Sequence, residues 1–548
     1  MTAPHYSDLW QGIAQADPER IAIITRQEQV TWGRLAAEAG ALARHLSARG
    51  LSVGDAAGML LYNRPEYLSF TWACLAIGVA PVAINYRYRA GEVRDLVLDS
   101  DLRVLLVPTS LADLAREAVA GIEPAVELIA VDDSALHGGG PIAGATRYED
   151  IVAAGGTLPP QAPRGAELRL YTGGTTGMPK AVVWDLDTLL VARQQSTWGL
   201  IGVTPPTDLD EAIQIAVDPA TPRVVTLPLT PLLHGTAQST TMGTLALGGT
   251  VVLHAAPRMD IEEALRLTIY YDVTRLIVAG DALALPFVEA AERLEVALSG
   301  VNSIVSSGMR FSDDVKRRLH ALGDIAIVDM LASSEGGPYA FGITRNADDL
   351  PAKLMITPGT VLLDEDLNEI QADAGALGIL AFRGILPKGY YQDPEKTEKT
   401  FPTIRGHRYV MPGDWARARG DGSVDLLGRL AAVVNTGGEK VFPAEVEDAL
   451  LEHEGVDDVI VFGMPDRRFG EVVSAMVAPM PGSRIDVPEL LAFLDQRLAG
   501  YKKPRHVFVR ESLERSSTGK VELARVKQDA ARELAERAEP AEHAEVVK

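Results

Sequence analysis

Apolar residues along this chain fall into two alternating textures. Short runs rich in β-branched residues, "LRVLLVP" (102–108), "VELIAV" (126–131), "RVVTLPL" (223–229), "TVVLHA" (250–255) and "TRLIVAG" (274–280), have the length and composition of buried strands. Between and around them lie helical stretches such as "EYLSFTWACLAIG", "IEEALRLTIYY" and "DDVKRRLHALG". Strand–helix alternation of this kind predicts α/β layers on largely parallel sheets. The segment 204–222, "TPPTDLDEAIQIAVDPATP", is polar with prolines at both ends and reads as a surface excursion. From about residue 430 the texture changes, and "EVEDALLEHEGVDDVIVFGMPD" and "VPELLAFLDQRLAG" read as helices of a small α+β domain. The closing "ELAERAEPAEHAEVVK" is charged and alanine-rich, as expected of a solvated, fraying end. The expected fold class is α/β, with a large N-terminal domain of α/β layers over residues 1–430 and a smaller C-terminal α+β domain over 431–548.

Composition narrows the function. A chain of 548 residues is too long for one compact core, and 47% apolar with 23% charged residues is ordinary for a globular protein. A net charge of −22 argues against a nucleic-acid partner, which would need a basic footprint. Anionic small molecules can still be held by local N–H groups, lysines and arginines. The lone cysteine, Cys74, fits a reducing compartment, and its setting in "TWACLAIG" reads as a buried thiol rather than a nucleophile. "MTAPHYSDLWQG" has neither the basic nor the apolar region of a signal peptide. "WACLAIGVAPVAI" is too short to span a bilayer and is broken by Gly78 and Pro81, so no membrane span and a cytoplasmic location are expected.

One stretch belongs to neither texture. In "YTGGTTGMPK" (171–180), Gly173, Gly174 and Gly177 permit unusual φ angles and close backbone approach, so successive N–H groups can converge on an anion. Thr172, Thr175 and Thr176 add hydroxyls, and Lys180 adds a point charge. The spacing is not that of a P-loop, since no lysine directly follows the second spaced glycine, but the physics is related. The run predicts a phosphate-binding loop.

"YTGGTTGMPKAVV" also resembles the signature of the adenylate-forming superfamily of acyl-CoA synthetases, adenylation domains and luciferases. Further stretches match in the same order over nearly the whole chain: "PLTPLLHG" (228–235), "LASSEGG" (331–337), "PGDWARARGDGSVDLLGR" (412–429), "NTGGEKVFPAEVE" (435–447) and "SSTGK" (516–520). The resemblance implies a hinge near Ala431 with a mobile C-terminal domain, and ATP or acyl-AMP, Mg²⁺ and coenzyme A as cofactors. It implies two steps, in which a carboxylate is first joined to AMP and a thiol then displaces the AMP.

Residue roles follow from the same resemblance. The glycine loop with Thr172 and Lys180 would hold phosphate, and Leu331, Ala332, Ser333 and Ser334 would border the nucleotide. Asp414 would accept from the ribose hydroxyls, and Arg429 would reach the ribose or phosphate. Glu335, with Thr175, would hold Mg²⁺, for which hard oxygen ligands are suited. His234 would sit where the acyl carboxylate meets the adenylate. Lys520 would serve adenylation by placing positive charge at the α-phosphate. Lys440 would serve thioester formation, beside Gly437, Gly438 and Glu439 on the coenzyme A path.

Four positions in three stretches depart from the family pattern. Leu331 and Ala332 stand where an aromatic residue and a glycine are usual, and base–aromatic stacking is worth roughly 1–3 kcal/mol. Ala431 replaces a charged hinge residue, although a hinge needs permissive backbone rather than charge. Glu514 replaces a proline at the head of the lysine motif, where a carboxylate repels phosphate if it points inward and is harmless if it faces water. Together they raise a second expectation: an intact thioester-forming half with a slowed or lost ATP-dependent half, fed with preformed acyl-adenylate by a partner ligase.

The acyl group would lie beside Gly235, Thr236, Ala237, Ala279, Gly308 and Met309. "VAGDALALP" resembles actinobacterial ligases for long or polycyclic acids, including steroid side-chain and diterpenoid acids. A roomy apolar pocket for a bulky hydrophobic carboxylic acid follows, although small residues there equally suit tight backbone packing. The rival readings are a stand-alone adenylation enzyme that loads a carrier protein and an inactive acyl- or nucleotide-binding homologue. The sequence leaves a homodimer open.

Overall fold

The computed structural model describes residues 4–138, 140–172, 179–429, 434–436, 439–466, 469–495, 497–498, 500–515 and 521–538. Gly173, Gly174, Thr175, Thr176, Gly177, Ala431, Gly437, Gly438 and Lys520 lie outside the described residues. The chain forms two compact units, one of residues 1–352 with 383–410 and one of residues 353–382 with 411–548.

Two sheets build the first unit. In spatial order, one runs Gly336–Thr344, Ala326–Ser333, Ser303–Ser307, Arg275–Val278, Val225–Pro228, Thr250–Val252, Ile21–Ile24 and Gln29–Thr31, with antiparallel pairs only at its two ends. The other runs Gly389–Tyr390, Lys180–Asp185, Glu167–Thr172, Ala80–Ala83, Ala56–Met59, Val104–Pro108, Glu127–Val131 and Thr146–Arg147. It is parallel except among its first three strands. Parallel strands covered on both faces read as continuous apolar runs, and Val104–Pro108 and Arg275–Val278 are buried at every position. This is the layered α/β architecture expected from the alternation.

The helix Pro65–Ile77 explains the stretch that mimicked a membrane segment. Proline opens it, Gly78 closes it in a left-handed conformation with φ 77°, and its residues are buried almost all round. Cys74 is fully buried there, and burial pushes its thiol pKa up. Among the described residues no helix is long and apolar enough to cross a membrane.

Two expectations need correction. The segment 204–222 is not a mere excursion, because it carries the helix Leu209–Val217, whose N-terminus is capped by Asp208 accepting from the Glu211 N–H. Ala212 and Ala216 are buried, and Gly12 lets Ile213 pack against the N-terminal helix Tyr6–Ala16, since a Cβ at Gly12 would collide with that side chain. The flanking prolines mark only its ends. Likewise, "EVEDALLEHEGVDDVIVFGMPD" is helical only from Pro443 to Leu451; Val456–Asp466 is a strand of 11 residues. Its β-branched "VIV" core pairs along a long antiparallel ladder with Gly470–Pro479, which overrides the acidic, helix-like start.

The second unit holds an antiparallel sheet in the order Glu369–Ile370, Thr360–Leu363, Leu377–Phe382, Asp414–Ala418, Ser423–Arg429 and Leu354–Ile356. A second, 5-stranded sheet orders Glu439–Val441, Val434–Thr436, Gly470–Pro479 and Val456–Asp466, with His506–Val509 parallel to Gly470–Pro479. The helices Pro443–Leu451 and Val487–Leu494 bury Val446, Leu450, Leu490 and Leu494 against it. The charged tail remains helical to Ala538, and its helix, Leu523–Ala538, buries Val526 and Ala530 with Phe462 and Phe508.

Candidate active site

The glycine loop is carried by an antiparallel hairpin, Glu167–Thr172 and Lys180–Asp185, in which Thr172 and Lys180 are register partners at the loop's two feet. The Thr172 hydroxyl donates to the Lys180 carbonyl at 3.4 Å. Lys180 Nζ lies 3.7 Å from Asp99 Oδ1, with both side chains about a quarter to a third exposed (31% and 25%). Such an ion pair is worth about 0–1 kcal/mol and yields readily to a phosphate. Asp99 is itself fixed by the Tyr171 hydroxyl at 2.6 Å.

Glu335 stands on the turn between Ala326–Ser333 and Gly336–Thr344, where Ser333 pairs with Gly336. Two donors reach this turn from the glycine-loop sheet. Trp184 Nε1 donates to the Ser334 carbonyl at 2.9 Å, and the Tyr390 hydroxyl donates to Glu335 Oε1 at 2.7 Å. Tyr390 belongs to the Gly389–Tyr390 strand, in register with Val182 and Val183 of the hairpin. Burial first, and the Glu335 charge next, push the Tyr390 pKa up, so its proton stays in place. Among the described residues no other hydrogen bond reaches Glu335. Leu331 faces Ala340 in the ladder, and Ala332 is half-buried beside Gly337, which has φ 95°. Neither Trp184 nor Tyr390 was singled out from the sequence, since each reaches its partner across a long separation, 150 and 55 residues.

His234 is the N-cap of the helix Gly235–Ala246, and among the described residues no side-chain hydrogen bond caps that helix. Its first-turn N–H groups thus form a positive end suited to an anion. A Cβ built on Gly235 would lie 3.8 Å from Ser334 Oγ, which puts the helix start beside the acidic turn. The preceding loop is pinned from beneath: Asn63 Nδ2 donates to the Thr230 carbonyl at 3.1 Å, the Leu232 N–H to Asn63 Oδ1 at 2.7 Å, and the Tyr67 hydroxyl to the Leu232 carbonyl at 3.1 Å. Gln238 and Thr241 follow His234 at helical spacing, on one face. Gln238 Oε1, Thr241 Oγ1 and Thr230 Oγ1 are buried without a hydrogen-bond partner among the described residues.

The segments holding Ala279 and Gly308–Met309 interlock. The Gly280 N–H donates to Ser306 Oγ and the Asp281 N–H to the Arg310 carbonyl, each at 3.0 Å. Gly280 has φ 50°, and a Cβ there would collide with the Arg310 carbonyl, so tight backbone packing does account for that glycine. Gly308 differs, since its Cβ would meet nothing within 4 Å and only its φ of 84° demands glycine. Gly308 is exposed, and Ala279 and Met309 are half-buried.

In the second unit, Asp414 and Arg429 are register partners at one end of their ladder, and Gly413, with φ 89°, turns the chain into Asp414. Glu439 pairs with Thr436 and Lys440 with Asn435. Before the lysine motif, Arg515 clamps Asp458 through two bonds, at 2.7 and 2.6 Å, and reaches the Val459 carbonyl at 3.0 Å. Glu514 is ion-paired with Arg525 and its side chain is 68% exposed, so its charge is both neutralised and solvated.

Comparison with known proteins agrees with these features. A family described as AMP-binding enzyme matches residues 10–391, and the AMP-binding enzyme C-terminal domain matches residues 445–520. The chain is 34% identical over 534 residues to the medium/long-chain-fatty-acid–CoA/3-oxocholest-4-en-26-oate–CoA ligase of Mycobacterium marinum, covering 94% of this chain and 95% of that one. It is 34% identical over 535 residues to the 3-oxocholest-4-en-26-oate–CoA ligase of Rhodococcus rhodochrous, covering 94% of each. The crystal structure of the anthranilate CoA ligase AuaEII in complex with anthranoyl-AMP shares the fold, with a TM-score of 0.80 at 20% identity over 98% of this chain and 99% of that one. With the hairpin of Thr172 and Lys180, the turn of Glu335 and the start of the His234 helix brought together, and with the family spanning more than half of its length, the chain belongs to the AMP-binding enzyme family of adenylate-forming proteins and is an acid–thiol ligase of the AMP-forming type.

Proposed function

We propose that the protein activates a bulky hydrophobic carboxylic acid as its adenylate and transfers the acyl group to coenzyme A. The observation that carries this reading is the placement of the N-terminal end of the His234 helix beside the Ser334–Glu335 turn, which is itself tied to the hairpin of Thr172 and Lys180. The relatives from Mycobacterium marinum and Rhodococcus rhodochrous are named for medium- and long-chain fatty acids and for a steroid side-chain acid, which supports an acid of that size and polarity.

The donor set suits Mg²⁺. Among the described residues no group of three or more His, Cys, Asp or Glu side chains could form a protein cage for a metal, whereas Mg²⁺ held with a nucleotide uses one or two carboxylates and otherwise phosphate and water. Glu335, with one oxygen not taken by Tyr390, and Thr175 would hold it. The ion would neutralise phosphate charge.

In the first step a carboxylate oxygen bonds to the α-phosphorus and pyrophosphate leaves with the electron pair of the broken bond. Thr172 and Lys180 bind phosphate, Asp414 holds the ribose, Arg429 reaches the ribose or phosphate, and Lys520 places charge on the α-phosphate. His234 orients the carboxylate. In the second step the thiol sulfur bonds to the acyl carbon, its proton is lost, and AMP leaves with the carbon–oxygen bonding pair. Lys440, Gly437, Gly438 and Glu439 serve the thiol's approach, with the boundary to the mobile domain near Ala431.

Leu331 and Ala332 favour a second reading, in which nucleotide binding is weak and preformed acyl-adenylate is the physiological substrate. Glu514 no longer supports it, given its partner Arg525. Both are tested by measuring pyrophosphate release from ATP, Mg²⁺ and long-chain or steroid side-chain acids, beside thioester formation from synthetic acyl-adenylate and coenzyme A. Release and thioester formation together establish the two-step ligase. Thioester formation alone establishes the second reading, and neither activity removes both.

A further inference from the structure

We infer that Tyr390 is a positioning residue for the metal-binding carboxylate: its hydroxyl fixes one oxygen of Glu335 and leaves the other to a metal ion. The inference rests on the proposed role of Glu335.

The hydroxyl–carboxylate contact of 2.7 Å has the length of a charge-assisted bond. Tyr390 can act as a fixed post because its surroundings are over-determined. Its N–H donates to Thr397 Oγ1 at 2.9 Å. On either side, the Lys388 N–H donates to the Val183 carbonyl at 2.7 Å and the Tyr391 N–H to the Ala181 carbonyl at 2.8 Å. The ring packs on Phe401 at 5.9 Å, and Lys396 Nζ lies 4.1 Å from its centre. The next residue, Tyr391, stacks against the Arg169 guanidinium at 3.7 Å and donates to Asp101 at 3.2 Å.

The strand that receives these bonds also carries the loop. Val182, opposite Tyr390, follows Lys180 by two residues, about 7 Å along the strand. Trp184 of the same strand holds the Ser334 carbonyl at 2.9 Å. Glu335 is therefore suspended, by backbone and by side chain, from the ribbon whose end is the phosphate loop. A carboxylate held by one oxygen loses its rotational freedom before the metal arrives, which is how partners behind a metal ligand raise affinity.

The test compares wild type with Y390F, E335D, E335Q and Y390F/E335Q. Mn²⁺ binding is followed by electron paramagnetic resonance in the presence of α,β-methylene-ATP, and thermal melts report the fold. The expected result is a rise of about tenfold in the Mn²⁺ Kd for Y390F with an unchanged melt. E335D, which keeps the charge but withdraws it from Tyr390, should weaken binding comparably if Y390F proves unstable. Adding Y390F to E335Q should change nothing further. An unaltered Kd in Y390F beside a weakened E335Q overturns the inference and leaves the role of Glu335 standing, as does additivity in the double variant. An unaltered Kd in E335Q overturns the underlying role itself.

Discussion

Asp414 and Arg429 stand opposite one another as register partners, although the turn between Ala418 and Ser423 separates their strands in sequence. An antiparallel ladder holds such partners about 5 Å apart at the Cα atoms whatever their side chains do. The acid and base of "GDWARARGDGSVDLLGR" are thus presented as a pair by backbone geometry. Asp414→Ala should lower kcat/KM for ATP about tenfold to a hundredfold, the worth of hydrogen bonds to a charged group. Asp414 is only half-buried, so the melting temperature should move little. Pyrophosphate exchange at varied ATP checks this, and an unchanged KM for ATP would remove Asp414 from the nucleotide.

Glu514 should be nearly silent. An exposed pair such as Glu514–Arg525 contributes about 0–1 kcal/mol, so Glu514→Gln should change pyrophosphate exchange by less than about twofold. A gain of tenfold or more on removing the charge would show that the carboxylate does oppose phosphate.

Acid should expose Glu127. Burial alone would raise its pKa, but hydrogen bonds from His45, Thr146 and Arg49 outweigh that and bring it to about 2. A carboxyl depressed in the folded state stabilises fully above its unfolded pKa, and that contribution is lost as pH falls toward the folded value. Glu127→Gln should therefore lower the melting temperature at pH 6, and the difference from wild type should shrink progressively below about pH 4.5. A difference independent of pH between 6 and 3 would contradict the assignment.

Gln238 offers a probe of the acyl side. An acceptor buried without a partner costs about 1–3 kcal/mol, which offsets the hydrogen bond the Gln238 side chain makes with Tyr67, so Gln238→Leu should move the melt little. With Oε1 accepting from a hydroxyl on the acyl group, the variant will lose about tenfold in kcat/KM for a hydroxy acid relative to the unsubstituted acid. Equal effects on both acids would separate Gln238 from the acyl group.

Local patterns carried what depends on neighbours along the chain. Val104–Pro108, and Leu276, Ile277 and Val278 of the Arg275–Val278 strand, were legible because strands buried on both faces leave apolar runs. The glycine run lies outside the described residues, and only its feet, Thr172 and Lys180, are seen to pair. The strand Val456–Asp466 was not legible, because "EGVDD" starts like a helix and only pairing with Gly470–Pro479 decides. The helix Leu209–Val217 hid between prolines whose turn signal outweighed the Asp208 cap. Tyr390 and Trp184 left no local mark at all, since what matters about them is a partner met only after two sheets have formed.

Leaving its glycine loop at Lys180, the chain enters a β-strand rather than a helix. Phosphate loops that open onto a helix borrow the standing positive potential of its first turn, whereas strand dipoles largely cancel. A triphosphate would take no such potential from the element that follows the loop, so side chains and ions drawn from solution would carry more of its counter-charge. Nucleotide affinity should accordingly track divalent cation supply and ionic strength, so that the composition of the surrounding medium, as much as the fold, decides when this ligase is charged.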